Sequence, residues 1–176
     1  MRTLVVVLIA VVAFASGTML GFKLDDSEAE ASVPTATGGL PAAVEETRAR
    51  LLEAAETGDY EALRELIPDS GLKYTFGDSV AGGPILYWQE LERTTDQRPI
   101  EALAAVLQLP YVLARGYYVW PWAYVVPSAD DLSPHERDLL APLGVPSALF
   151  PEGAGYYGWR AGIAPDGTWV FFVAGD

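Results

Sequence analysis

The chain's 176 residues suffice for one ordinary domain with appendages. Its 24 acidic and 11 basic residues leave a net charge of −13 without a Lys/Arg cluster, which argues against nucleic acid or an anionic membrane surface as a partner. The absence of cysteine rules out disulfides, thiolate metal sites and Cys nucleophiles, and a single histidine, His135, rules out a multi-His metal site.

Residues 3–22 carry no charge and are mostly apolar, with Arg2 before them and Lys23 after. A helix of that length spans about 30 Å, enough to cross a bilayer. Ala13-Phe14-Ala15 also fits the small-x-small pattern of a cleaved signal peptide. Cleavage there would leave a short signal, and the apolar run continues through Met19, Leu20 and Phe22, which favours an uncleaved single-pass anchor. Either reading puts the rest of the chain outside the cytoplasm, secreted if the segment is cleaved. The expected partner of residues 3–22 is therefore the membrane itself. Residues 24–42 are small, acidic and interrupted by Pro and Gly, as in a flexible linker. The domain is expected over residues 43–176.

Ala43 to Thr57 has helical propensity, with Val44, Leu51, Leu52 and Ala55 on one side. Gly58 suits the position past its end, and Asp59 suits the N-cap of a second helix that Pro68 stops. Leu72, Tyr74 and Phe76 alternate with polar and small residues, which predicts a half-buried strand. Pro84 opens a helix carrying Ile85, Trp88 and Leu91, and Pro99 opens another with Ile100, Leu103, Ala104 and Leu107 at helical spacing. If Tyr117 to Val126 form one strand, Tyr118, Trp120, Trp122, Tyr124 and Val126 share a face, and Pro121 requires an edge or a bulge. Ser133 and Glu136 fit a capping box for a short helix, and residues 143–155 read as an ordered loop.

Two β-rich runs then flank Pro165-Asp166-Gly167, the pattern of a hairpin turn. On the first, Tyr157, Trp159, Ala161 and Ile163 fall on one face, and Gly158, Arg160 and Gly162 on the other. The second, Thr168 to Val173, is apolar on both faces, as in a covered central strand. The order of elements predicts an α+β domain. A small antiparallel sheet packs against the N-terminal and middle helices and finishes in a C-terminal β-hairpin, all preceded by one transmembrane helix.

Val119-Trp120-Pro121 after a Tyr pair, the Gly58-Asp59-Tyr60-Glu61-Ala62-Leu63 junction and the run from Ile163 to Asp176 together resemble a family of exported bacterial proteins. The terminal motif, Ile-Ala-Pro-Asp-Gly-x-Trp-x-Phe-Phe-Val-Ala-Gly-Asp, carries most of that likeness. The resemblance implies a bacterial cell envelope and no particular activity, cofactor or catalytic residue. A looser resemblance, from the Gly58-Asp59 junction to Phe76 and then Trp169 to Val173, is to the nuclear-transport-factor-2-like fold. The two helices between Pro84 and Leu109 depart from that outline.

The candidate binding residues are Arg115, Tyr118, Trp120, Trp122, Tyr124 and Arg160. Aromatic faces stack on sugar rings or apolar ligands, and Arg can grip a carboxylate with two hydrogen bonds. The same aromatics would equally serve as core and rim. Asp130 and Asp131 precede a helix start, where loop and dipole roles account for them. His135 lacks a motif partner, and neither a nucleophile elbow nor a phosphate loop occurs. No catalytic, metal or cofactor residues are assigned. The expectation is a membrane-anchored module that binds a small ligand or an envelope protein. The alternative is an enzyme with a nuclear-transport-factor-2-like pocket using carboxylate and Tyr acid–base chemistry.

Overall fold

The computed structural model describes residues 39–77 and 79–175. The anchor expected at residues 3–22 and most of the expected linker lie outside the described residues. Among the described residues no helix is long and apolar enough to cross a membrane.

Helix α1, Ala42–Thr57, buries Val44, Leu51, Ala54 and Ala55 along one side. Gly58 ends it with φ 69°, and its N–H returns to the Ala54 and Ala55 carbonyls. The Asp59 carboxylate then accepts from the Glu61 and Ala62 amides, both at 3.0 Å, and starts α2, Tyr60–Leu66. Helices α3, Gly83–Thr94, and α4, Pro99–Leu107, each begin with Pro in the first turn, where no N–H is needed. Helix α4 lies against α1, α3 and the sheet, and buries Ile100, Leu103, Val106 and Leu107. Burying each of these fully contributes about 1.5–3 kcal/mol. A later short helix, α5, Pro134–Leu140, carries the expected Ser133/Glu136 capping box. The expected loop at residues 143–155 contains one further turn of helix, α6, Pro146–Leu149.

The sheet is an antiparallel meander of β1, Val112–Ala114, β2, Tyr117–Trp120, β3, Arg160–Ile163, and β4, Trp169–Val173. The closing turn forms as its residues require. Gly167 N–H donates to the Ala164 carbonyl at 2.9 Å, and Gly167 takes φ 90°. Asp166 accepts from the Thr168 amide at 2.9 Å, which holds its carboxyl below the usual range. The β3–β4 register skips Val170: Gly162 faces Phe171, and Ile163 faces Trp169.

Three expectations need correction. β4 is not a central strand: it stands last in the sheet order, with a single bridge beyond it. The Leu72–Phe76 strand reduces to one parallel bridge, Lys73 to Phe171. The Lys73 amide donates to the Val170 carbonyl at 3.0 Å, and its carbonyl accepts from the Phe172 amide at 2.9 Å. Leu72 and Tyr74 are buried, but Phe76 is 44% exposed. The single strand from Tyr117 to Val126 does not form either. β2 ends at Trp120, the Trp120–Pro121 peptide is cis, and Trp122–Val125 is a 3-10 turn. Pro121 has no N–H for the ladder, and the Trp122 amide bonds back to the Pro110 carbonyl at 2.8 Å.

The two faces of the sheet carry different partners. One face presents Tyr118, Trp120, Ala161, Ile163, Trp169 and Phe172 to the helices and forms the main core. A second cluster, with Trp122, Leu132, Leu140, Leu149, Phe150 and Tyr156, packs the segment after β2 onto Val112 and Leu109.

Candidate ligand-binding site

A cavity of about 820 Å³ lies on the sheet face opposite the main core. Its floor is Val170, Phe171 and Val173 of β4, with Arg160 of β3 beside them. Tyr124, Val125, Val126 and Pro127 form one wall, and Ala154, Gly155 and Tyr156 another. Phe76 and Lys73 close one side, and Ala114 and Arg115 close the other. Gly162 is necessary to this floor. The Phe171 ring lies across it, and a Cβ there would run into that ring. The ring reaches Tyr117 edge-on, with centroids 6.3 Å apart.

Arg160 is buried at 6% exposure. One terminal nitrogen donates to the Gly175 carbonyl at 2.7 Å, and the other donates to Tyr156 at 3.3 Å. Its guanidinium carbon stands 5.1 Å from the Phe76 ring and 5.8 Å from the Tyr124 ring. The fork therefore holds together the residues around Tyr156, the Gly175 tail and two walls of the cavity. Tyr156 donates to the Trp159 carbonyl at 3.0 Å. Burial raises its pKa above the usual tyrosine range, and the Arg160 charge opposes that only in part.

Arg115 stands on the rim in the two-residue turn between β1 and β2. Arg115 has φ 52° and Gly116 has φ 85°, the signature of a type I′ hairpin. Asn, Asp or Gly suit its position, because a short polar side chain or no Cβ at all tolerates the left-handed region. An arginine there departs from local preference at the mouth of a cavity. Lys73 enters through its bridge to Phe171, with Nζ 5.9 Å from the Phe76 ring.

The six sequence candidates separate into three places. Arg115, Tyr124 and Arg160 meet at this cavity. Tyr118 and Trp120 face the opposite way and pack with Tyr111, at 5.8 and 5.5 Å between ring centroids. Trp122 is fully buried in the second cluster. Tyr157 and Trp159 line a different cleft of about 520 Å³ with Tyr74, Tyr87 and Gln97, and Phe76 borders both spaces. Sequence reasoning missed Lys73, Phe76, Val170 and Phe171. A readable signal was the Ala114-Arg115-Gly116-Tyr117 turn between two apolar runs, which would have supplied β1 and the rim together.

Neither space has Asp or Glu among its described lining residues. Asp130 and Asp131 are exposed in a 3-10 turn, and His135 is exposed on α5. Glu90 pairs with Arg93, which holds its carboxyl below the usual range. Tyr60 and Glu92 lie together between α2 and α3. The Tyr60 hydroxyl and one Glu92 oxygen are both buried there. Burial first, and Glu92 second, push the Tyr60 pKa above its usual range.

No protein-family model, curated protein or solved structure matches this chain.

Proposed function

We propose that the chain is a non-catalytic envelope module, held at a bacterial cell membrane by residues 3–22, whose extracytoplasmic domain binds a small ligand in the cavity beside Arg160. The observation that carries this reading is the cavity itself. Its volume, about 820 Å³, falls in the ordinary range for small-molecule sites. Valines and aromatics form most of the lining, with cations at a few points. The absence of a carboxylate among the described lining residues offers no acid–base pair.

The test uses the full chain in nanodiscs of zwitterionic lipid, with empty discs subtracted. A neutral apolar probe, N-phenyl-1-naphthylamine, should gain fluorescence in the wild type. The Val170→Trp variant, which fills the floor, should lose most of that gain while keeping its circular dichroism. Equal binding by folded wild type and variant would place the ligand elsewhere, and no binding by either would end the reading.

Acid–base catalysis has one observation in its favour, the buried Tyr60–Glu92 pair. The pair lines neither the large cavity nor the smaller cleft.

A further inference from the structure

We infer that the cavity selects an amphiphilic anion: one acidic head group, carboxylate or sulfonate, on a single apolar body. This rests on the cavity being the binding site and adds the charge of what binds there.

The first support is where the scarce cations lie. Eleven basic residues less Arg2 and Lys23 leave nine among the described residues. Three of those nine, Lys73, Arg115 and Arg160, line this one cavity, and no described acidic residue joins them. The chain as a whole has more than twice as many acidic as basic residues. Cations gathered over low-dielectric walls focus a positive potential that the rest of an acidic surface lacks.

The second support is how the three are held. The ion pairs among the described residues use Arg48, Arg64 and Arg93, and neither Lys73 nor Arg115 takes part. Both are exposed at the rim. Arg160 is different, since it is buried and bonded to the chain's own carbonyls. It shapes the walls of the site. Arg115 and Lys73 are the groups available to a head group. Arg115 also occupies a turn position where a charged, long side chain has no conformational advantage.

The third support is the floor. Val170, Phe171 and Val173 offer no polar side-chain partner, so the body of the ligand must be apolar. A small inorganic anion would leave that surface wet, and an uncharged lipid would leave the rim cations unused.

Octanoate, octanamide and octylamine share chain length and differ in charge. They are titrated calorimetrically into the full chain in zwitterionic nanodiscs, so that no lipid head group supplies the anion. Octanoate should bind at least tenfold tighter than octanamide, and octylamine weakest. Raising the salt should erode only the octanoate advantage. The double variant Arg115→Asn/Lys73→Gln should bring octanoate to within about twofold of octanamide and leave octanamide unchanged. Asn suits the left-handed turn, so the hairpin survives the change. Equal wild-type affinities for octanoate and octanamide would overturn the anion inference and leave the cavity reading intact. A ratio that survives in the double variant would overturn the roles of Arg115 and Lys73. No binding by any of the three would remove both readings.

Discussion

Tyr156 shows how one side chain carries both packing and pH dependence. It is 5% exposed, donates to the Trp159 carbonyl and forms one wall of the cavity. Its ionised form would be desolvated, so its folded pKa lies above the value near 10 of an unfolded tyrosine. A raised pKa contributes stability that is complete below pH ~10 and is lost as pH rises towards the folded value. Tyr156→Phe should therefore cost about 1 kcal/mol at pH 8, through the lost hydrogen bond. The gap should narrow between pH 10 and 11, because the variant no longer has a buried phenol to ionise. Tyr60 adds a dependence of the same sign that both proteins retain. Urea unfolding at the two pH values measures the gap, and a constant difference would contradict this account.

At the scale of elements, α1 and the closing hairpin are clasped together. Thr47 donates to the Gly167 carbonyl at 2.7 Å, and a Cβ on Gly167 would meet the Ala43 carbonyl oxygen at 2.7 Å. Gly167 also needs φ 90°, which L side chains adopt only under strain. Gly167→Ala should lower stability by about 2–3 kcal/mol from strain and the clash with α1 together. A cost below 0.5 kcal/mol in chemical denaturation would mean that the turn is not pinned. The hairpin was legible for the same reason that it is sensitive: its turn chemistry is local, and Pro165, Asp166 and Gly167 each have one role. The helices were legible too, since Gly58, Asp59 and Ser133 mark their ends through local bonds, and Pro84 and Pro99 through a fixed φ and a missing N–H. The Leu72–Phe76 alternation misled because a period of two reports burial, not ladder length. Leu72 and Tyr74 are buried beside a single bridge.

Across the whole molecule, the candidate site was legible only in part. The face bearing Arg160 and Gly162 followed from strand alternation. The split of the aromatic band did not, because it depends on the chain leaving the sheet at Pro121. Trp120 joins the helical core, Trp122 joins the second cluster, and both are buried. The two tryptophans therefore support different parts of the protein. Trp122 packs with Leu132, Leu140, Leu149, Phe150 and Tyr156, all from the layer that supplies the cavity walls. Its indole N–H is buried without a partner, so truncation removes packing and no hydrogen bond. Trp122→Ala should cost about 3–5 kcal/mol as the cavity term for a large aromatic. The loss should fall unevenly. Amide exchange should quicken over residues 122–158 and stay slow in α1, α4 and the β3–β4 hairpin, whose core lies on the other face of the sheet. Trp120→Ala, which opens the main core between α4 and the sheet, should quicken exchange everywhere that globally unfolds. Uniform loss of protection in Trp122→Ala would show that the two clusters form one cooperative unit.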